Sequence, residues 1–438
     1  MDVKAKRVTV VGLGKSGEAA AALLASLGAK VFVVDDQICN QPETLTSLKS
    51  DFPISFGLGS WNDKELLSQD LIVVSPGVPL SRLPLSKLID AKIPVIGEME
   101  LAFRFLTAPV IAITGTNGKS TTTTLVAEIL KESGFNVFCG GNIGVPLSLA
   151  AFRPFDYIVA EVSSFQLETI QTFRPKIAAL LNLTEDHLNR HGSLEKYRAI
   201  KERIFENQTG DDYAVFNPND PPSHLSTLKG SKIAFRMEKM GPAINGSAVK
   251  LSGTHHVENI MAAIAITELA GASNDAIRRA LERFSGLPHR MEKVGEIKGV
   301  EYIDDSKGTN VGAVIKSLEG MNRPVILIAG GSDKGADFEP LLPILFKKVK
   351  RLILMGDASA KMAHCFQDFP AITRVNAMKE AVLTASAESS PGDVVLLSPS
   401  CASFDMFKNF QHRGDCFKQA VLALTPCPSG TPLEEENG

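Results

Sequence analysis

The sequence predicts an α/β protein of three lobes: an N-terminal Rossmann-like nucleotide-binding domain, a central P-loop ATPase-type α/β domain and a C-terminal Rossmann-like α/β domain. Three observations predict it. Short apolar, β-rich runs alternate with helical segments along nearly the whole chain, the pattern of parallel sheets wound with helices. Several of these runs end in glycine-rich or mixed-charge loops, where open α/β sheets bind ligands. Finally, 438 residues are too many for one ordinary core and point to about three domains.

The first element is the run Val8 to Val11, followed by Gly12-Leu13-Gly14-Lys15-Ser16-Gly17, a helix from Glu18 to Leu27, and the strand Val31 to Val34 ending at Asp35-Asp36. Three glycines spaced G-x-G-x-x-G with an acid about 20 positions on form the dinucleotide fingerprint. By itself it serves any nucleotide diphosphate, because the helix end recognises the pyrophosphate rather than its substituents. The strand Leu71 to Val74 then runs into the rigid turn Ser75-Pro76-Gly77-Val78-Pro79, and Pro94 to Gly97 closes this unit.

The central element is Val110 to Thr114, an apolar strand that enters Gly115-Thr116-Asn117-Gly118-Lys119-Ser120-Thr121, with Leu125, Val126, Ile129 and Leu130 following at helical spacing. Strand, loop and helix stand in the order of a phosphate loop, shortened because Ile113 occupies the first glycine position. The glycines turn N–H groups onto phosphate oxygens, Lys119 neutralises the outer phosphates, and Ser120 is placed to hold Mg²⁺. ATP is the simplest ligand. The neighbouring strand Tyr157 to Ala160 ends at Glu161, where NTPases keep a metal-ordering acid. The strand Ile177 to Leu181 leads into a polar loop with His187 and then His191, which reads as structural or solvated. A helix carrying Tyr197 follows, and on spacing alone its Lys201 is a solvated lysine. Residues 207–250 read as periphery with short strands at Tyr213 to Phe216 and Lys232 to Phe235, and a helix from Val257 to Leu269 contains Asn259.

The last lobe repeats the opening logic: Val325 to Ala329 runs into Gly330 to Gly335, Leu352 to Met355 into Gly356-Asp357, and Val394 to Leu397 into Ser398 to Ser403. Before these, Tyr302-Ile303 leads into Asp304 to Asn310, a loop of charges and hydroxyls. The expected domains are 1–97, 98–287 and 288–424, with a disordered tail at 425–438, rich in Pro, Ser, Gly and Glu. Ligand loops on three sheets suggest chemistry in a gap between lobes.

Bulk properties narrow the partners. A net charge of −3 offers no electrostatic reason to expect nucleic acid or an anionic membrane, so small molecules fit better. No apolar run approaches the roughly 18 residues that cross a bilayer, and Met1 to Arg7 lacks a signal-peptide pattern. A cytoplasmic monomer is expected. The six cysteines include no C-x-x-C pair and predict neither a zinc knuckle nor a disulfide framework.

Taken together, these motifs resemble the Mur ligases over residues 5 to about 424: Gly115 to Ser120, Gly141-Asn142-Ile143-Gly144, Glu161 to Glu168, Asn182 to His187, Tyr197 to Lys201, Gly286 to Arg290, Asp305 to Asn310 and Leu397 to Gly414. The shortened phosphate loop is the family's own form. The stretch Ser398 to Phe407 with Phe410, Arg413 and Gly414 looks most like the D-glutamate-adding member. The resemblance implies an ATP-dependent amide-bond ligase of peptidoglycan synthesis that adds D-glutamate to UDP-N-acetylmuramoyl-L-alanine through an acyl phosphate. Its nearer alternative is a sister ligase, or a folylpolyglutamate-type ligase, with another amino acid. A nicotinamide-dependent oxidoreductase would use the first fingerprint but leaves the other two domains unexplained.

Position by position, the resemblance implies that Lys119, Glu161, His187 and Lys201 are catalytic. One Mg²⁺ would sit on Ser120 and Glu161, and a second on His187 and Lys201 after carbamylation of that lysine by CO₂. Gly115 to Thr121, Asn259, Arg290 and Asp305 would hold ATP. Gly14, Lys15, Ser16, Asp35, Asp36, Gly77, Asn142 and Ser163 would hold the UDP substrate, and Lys307, Thr309, Lys334, Ser403 and Phe410 the incoming D-glutamate. This chain departs from the family pattern at His256 and at Asp36-Gln37.

Overall fold

The alternation of apolar runs and helices resolves into three sheets. The computed structural model describes residues 1–36, 54–59, 61–236, 254–333 and 335–424, so Gln37, Lys334 and the expected tail at 425–438 lie outside the described residues. The first sheet contains β1 (Arg7–Val11), β2 (Lys30–Asp35), β3 (Ser55–Leu58), β4 (Leu71–Val74) and β5 (Val95–Gly97). Their order is β3-β2-β1-β4-β5, with every pairing parallel. Val8, Val10 and Val11 are wholly buried because helices cover both faces, and that is why β1 reads as a continuous apolar run. Gly12 takes φ +92°, and a Cβ on Gly17 would lie 1.9 Å from the Gly12 carbonyl oxygen. Only glycine permits this strand and the helix Lys15–Ser26 to approach so closely.

The second sheet contains β6 (Val110–Thr114), β7 (Val137–Gly141), β8 (Tyr157–Glu161), β9 (Ile177–Leu180), β10 (Tyr213–Phe216) and β11 (Ser231–Ala234), in the order β11-β10-β9-β6-β8-β7. All of its pairings are parallel. Every residue of β6 is buried, and its two neighbours, β8 and β9, are the strands that end at Glu161 and lead toward His187. The peripheral stretch after residue 207 supplies β10 and β11, close to the two short strands expected there, and they extend this sheet at one edge.

The third sheet contains β12 (Glu292–Ile297), β13 (Val300–Asp304), β14 (Val325–Gly330), β15 (Val349–Met355), β16 (Ile372–Arg374) and β17 (Val394–Ser400), in the order β12-β13-β17-β14-β15-β16. It departs from the expected all-parallel form, because β12 pairs antiparallel with β13. The cause is local. Lys298 and Gly299 both take positive φ, 51° and 75°, the conformation of a two-residue hairpin turn. A two-residue link can join antiparallel strands but never parallel ones.

The described residues fall into two compact units, one of residues up to 236 with Val257–Phe284 that holds the first two sheets, the other of residues 254–256 with those from Ser285 onward that holds the third. Among the described residues, no helix is long and apolar enough to cross a membrane.

Candidate active site

The phosphate loop is built from the residues that the motif requires. Gly118 takes φ +82° and caps the helix Lys119–Glu132, and a Cβ there would lie 2.0 Å from Oδ1 of Asn259. Asn259 is thereby placed against the loop from a helix more than a hundred residues away. The loop is pinned on its other side by the strand-end residues after β9. Asn117 N donates to Asn182 Oδ1 at 2.9 Å, Asn182 Nδ2 donates to Asn117 O at 3.1 Å, and Thr116 Oγ1 donates to Thr184 O at 3.0 Å. Thr121 is buried, Ser120 is half-buried in the first helical turn, and Lys119 Nζ folds back on the carbonyl oxygens of Gly115 and Thr116 at 2.9 and 2.7 Å.

Glu161 stands beside this loop because β8 pairs with β6, Glu161 opposite Ile113. The Gly141-Asn142 turn wraps it: Asn142 N donates to the Glu161 carbonyl oxygen at 2.9 Å, and Asn142 Nδ2 donates to Glu161 Oε1 at 2.6 Å. The other carboxylate oxygen, Oε2, is buried and has no hydrogen-bond partner. A carboxylate shielded from water with one oxygen unmatched is costly unless a cation meets it, so this site fits a divalent metal ion.

Lys201 corrects the reading of a solvated lysine, since it is only 1% exposed. It shares one face of the helix Leu194–Glu202 with Tyr197, four residues earlier, and both turn inward against the phosphate-loop strand. Its Nζ donates to Gly115 O at 2.9 Å and to Thr114 Oγ1 at 3.3 Å, and lies 4.9 Å from the Tyr197 ring centre. Burial pushes its pKa well below the ordinary lysine range; the Lys119 charge pushes the same way, while Asp186 and Glu161 oppose both. The shift favours the neutral amine, the form in which lysine is a nucleophile.

His187 sits at φ +54°, with its ring edge-on to Phe165 at 4.9 Å and its Nε2 3.6 Å from Asp186 Oδ2. His191 is structural, as one reading of it had it: buried, with Nε2 3.0 Å from Ser164 Oγ, and with its pKa lowered mainly by burial. Ser163 caps the short helix Ser164–Leu167, in a capping box with Gln166.

The residues expected to hold a nucleotide diphosphate converge in the same unit. Gly14, Lys15, Ser16, Asp35, Asp36, Gly77 and Asn142 all line one cleft of about 410 Å³. Ser163 is absent from that lining, although its capping partner Gln166 is part of it. Asp35 Oδ2 accepts from Leu13 N at 2.8 Å and so shapes the glycine turn. Sequence reasoning missed Trp61 and Arg82, which also line the cleft and lie outside any motif. It missed Arg190 as well, whose guanidinium grips both oxygens of Glu168 and lies 4.2 Å from the Phe165 ring centre.

The second unit gathers the remaining candidates around a buried arginine. Arg413 donates to Ser306 O, Cys401 O and Ala402 O at 2.8 to 3.1 Å and to Ser306 Oγ at 3.0 Å, tying the loop after β13 to the loop after β17. Ser403 is buried beside this tie. Lys307 Nζ lies 4.0 Å from the Phe410 ring centre, and Thr309 N donates to Lys307 O at 2.8 Å. Asp305 is buried, with Oδ2 accepting from Ser317 and Ser398 at 2.8 and 2.7 Å. Burial raises its pKa to about 6, opposed by the two hydroxyls and then by the Arg290 charge.

A phosphate loop beside a strand-end carboxylate, on an α/β sheet of this order, defines a nucleotide-using enzyme of the P-loop class. Comparison with known proteins carries the assignment further. Family models match three consecutive stretches: the MurD-like N-terminal domain of Mur ligases at residues 6–97, the Mur ligase middle domain at 113–242 and the Mur ligase glutamate ligase domain at 289–401. A curated relative from Geotalea uraniireducens, named UDP-N-acetylmuramoylalanine--D-glutamate ligase, is 44% identical over 97% of this chain and 99% of its own. One from Pelotomaculum thermopropionicum with the same name is 42% identical over the same shares. Among solved structures, the MurF ligase from Thermotoga maritima in complex with ADP superimposes with a TM-score of 0.61 at 16% identity, over 97% of this chain and 96% of that one. A pseudomurein peptide ligase type C from Methanothermus fervidus gives 0.59 at 20%, over 96% and 100%. These two show the shared fold. The chain belongs to the Mur ligase family.

Proposed function

We infer that this chain is an ATP-dependent ligase that joins D-glutamate to UDP-N-acetylmuramoyl-L-alanine, giving an amide, ADP and phosphate. The observation that carries the reading is end-to-end similarity, at 42–44% identity, to curated ligases of that name. The geometry of the first unit supports it. The substrate carboxylate attacks the γ-phosphorus of ATP, the γ-phosphoryl group passes to the carboxylate oxygen as ADP leaves, and the amine of D-glutamate then displaces phosphate from the acyl phosphate. Two anions must meet in the first step, so positive charge has to be supplied at the phosphate loop.

Lys119 supplies part of that charge, and the loop N–H groups around Gly115 to Thr121 supply more. Mg²⁺, when bound, would screen the reacting oxygens; Ser120 with Glu161 would hold one ion, and His187 with a carbamylated Lys201 a second. The carbamate forms when the neutral Lys201 amine adds to CO₂ and loses a proton, turning a nitrogen into an anionic oxygen ligand suited to a hard cation. Asn142 orients the Glu161 carboxylate, and Asn259 holds the loop at Gly118. Gly14, Lys15, Ser16, Asp35, Asp36 and Gly77 would bind the UDP portion and Ser163 the substrate near its reacting end. Arg290 and Asp305 for ATP, and Lys307, Thr309, Lys334, Ser403 and Phe410 for D-glutamate, enter through the family resemblance.

The test is phosphate release from ATP with UDP-N-acetylmuramoyl-L-alanine and D-glutamate, L-glutamate, L-alanine or a diaminoacid in turn. Turnover with D-glutamate alone supports the reading. Release with another amino acid and none with D-glutamate would reassign the chain to a sister ligase.

A further inference from the structure

Two loops of the first unit, far apart in sequence, meet on a single side chain. The turn after β4 faces the nucleotide cleft: Ser75 Oγ donates to Gly12 O at 2.7 Å, Val78 N donates to Ser75 O at 3.0 Å, and Gly77 lines the cleft with Gly12 and Gly14. The loop after β9 carries His187, whose carbonyl oxygen accepts from Arg190 N at 3.0 Å. Arg190 spans the two. Its Nε and Nη2 donate to Glu168 Oε1 and Oε2 at 3.0 and 2.6 Å, while Nη1 and Nη2 point at the carbonyl oxygens of Pro76 and Val78, each at 3.5 Å. Gly77 lies between those two carbonyl groups.

The arrangement is stiff. The two-point grip on Glu168 fixes the guanidinium plane, and the Phe165 ring, its centre 4.2 Å away, covers one face of it. Phe165 also meets the His187 ring edge-on at 4.9 Å, so His187 is tied to Arg190 both through the backbone and through this ring. The seam lined by Pro76, Val78, Phe165, Glu168 and Arg190 encloses a cavity of only about 10 Å³, room for about one water. Groups packed this closely pass a displacement on rather than absorb it. A lysine is no equivalent here, because it lacks the planar fork that meets a carboxylate on one edge and carbonyl groups on the other.

We propose that Arg190 is a positioning residue that sets the register between the cleft turn at Gly77 and the loop carrying His187. A nucleotide-sugar anchored in the cleft then presents its reacting carboxylate to the phosphate loop at the productive distance. The inference rests on the reading of this unit as the ligase site. Arg190 acts through the turn and through Phe165, so a ligand that reaches only one of the two loops does not depend on it.

The full-length chain and its Arg190→Met and Arg190→Lys variants are titrated calorimetrically with UDP and, separately, with ATP. Amide formation from UDP-N-acetylmuramoyl-L-alanine, ATP and D-glutamate is assayed alongside. Arg190→Met should bind UDP and ATP within about twofold of the parent, while its kcat/KM for the nucleotide-sugar falls by about 10- to 100-fold. Arg190→Lys keeps the charge without the fork, and it should show the same split, with kcat/KM at least about tenfold below the parent. It carries the test alone if Arg190→Met does not fold. Equal losses for UDP, ATP and the nucleotide-sugar, or parental kcat/KM in Arg190→Lys, overturn this inference and leave the ligase reading standing. A parent chain that forms no amide from these substrates overturns the ligase reading and this inference with it.

Discussion

Lys119 and Lys201 donate to one acceptor, the carbonyl oxygen of Gly115, which lies 2.9 Å from each side-chain nitrogen. Two ammonium groups converging on one oxygen repel, and the buried one, Lys201, has its pKa driven well below the ordinary lysine range, first by burial and then by the Lys119 charge. The phosphate loop thus carries two lysines back to back, one partly exposed and one 1% exposed, and the two differ in function because they differ in burial.

Lys201→Met follows from that pairing. A lysine whose folded pKa lies below its unfolded value of 10.5 binds fewer protons folded than unfolded, so its cost to stability is full at low pH and vanishes as pH rises to 10.5. In CO₂-free buffer the variant should therefore show a raised Tm at pH 7, with the gain shrinking toward pH 10.5. Ligase turnover should fall at least about a hundredfold. Scanning calorimetry across pH checks the first expectation, and an equal gain at all pH values would contradict a lowered Lys201 pKa.

Lys119→Ala tests the opposite role. The side chain is only partly buried and stabilises charge on the nucleotide, so kcat should drop by about 10² to 10³ while the melting transition stays within a few degrees of the parent. ADP release measured at saturating ATP decides it.

Gly118→Ala would place a methyl group 2.0 Å from Asn259 Oδ1 at φ +82°. The left-handed conformation alone costs about 1 to 2 kcal/mol for alanine, and the collision would push Asn259 off the loop. We expect ATP affinity to fall more than tenfold, read by calorimetric titration, with circular dichroism unchanged.

Asp305→Asn should alter the pH dependence of the second unit. A carboxyl raised from 3.8 to about 6 binds more protons folded than unfolded between those values, so the native chain loses stability as pH rises through that window. The amide removes the loss and can still accept from Ser317 and Ser398. Relative to the variant, the parent should lose on the order of 2 kcal/mol between pH 4 and 7, and denaturant melts at several pH values would show it.

Much of this protein is legible in its sequence because parallel strands with both faces covered are written as continuous apolar runs. Val8 to Val11, Val110 to Thr114 and Val325 to Ala329 announce themselves, and the loops that follow carry the glycines, lysine and serine of phosphate binding. Short or mixed strands are quieter. Ser55–Leu58 has no apolar run, and the hairpin at Lys298-Gly299 escaped because its signal is two residues long.

The sequence by itself determined the order of the elements, the phosphate loop and the family, since these depend on local pattern and on motifs with fixed spacing. Only the tertiary structure decided which charges are hidden. Lys201 reads on its spacing as an ordinary helix cation and nothing local marks Arg413 as buried, yet each is 1% exposed, one under a strand end with its pKa lowered and the other holding two loops together. Trp61 and Asp36, 25 residues apart, line the same cleft. Burial and meeting across the chain depend on which strands lie side by side, and no spacing rule along one helix or loop contains that information.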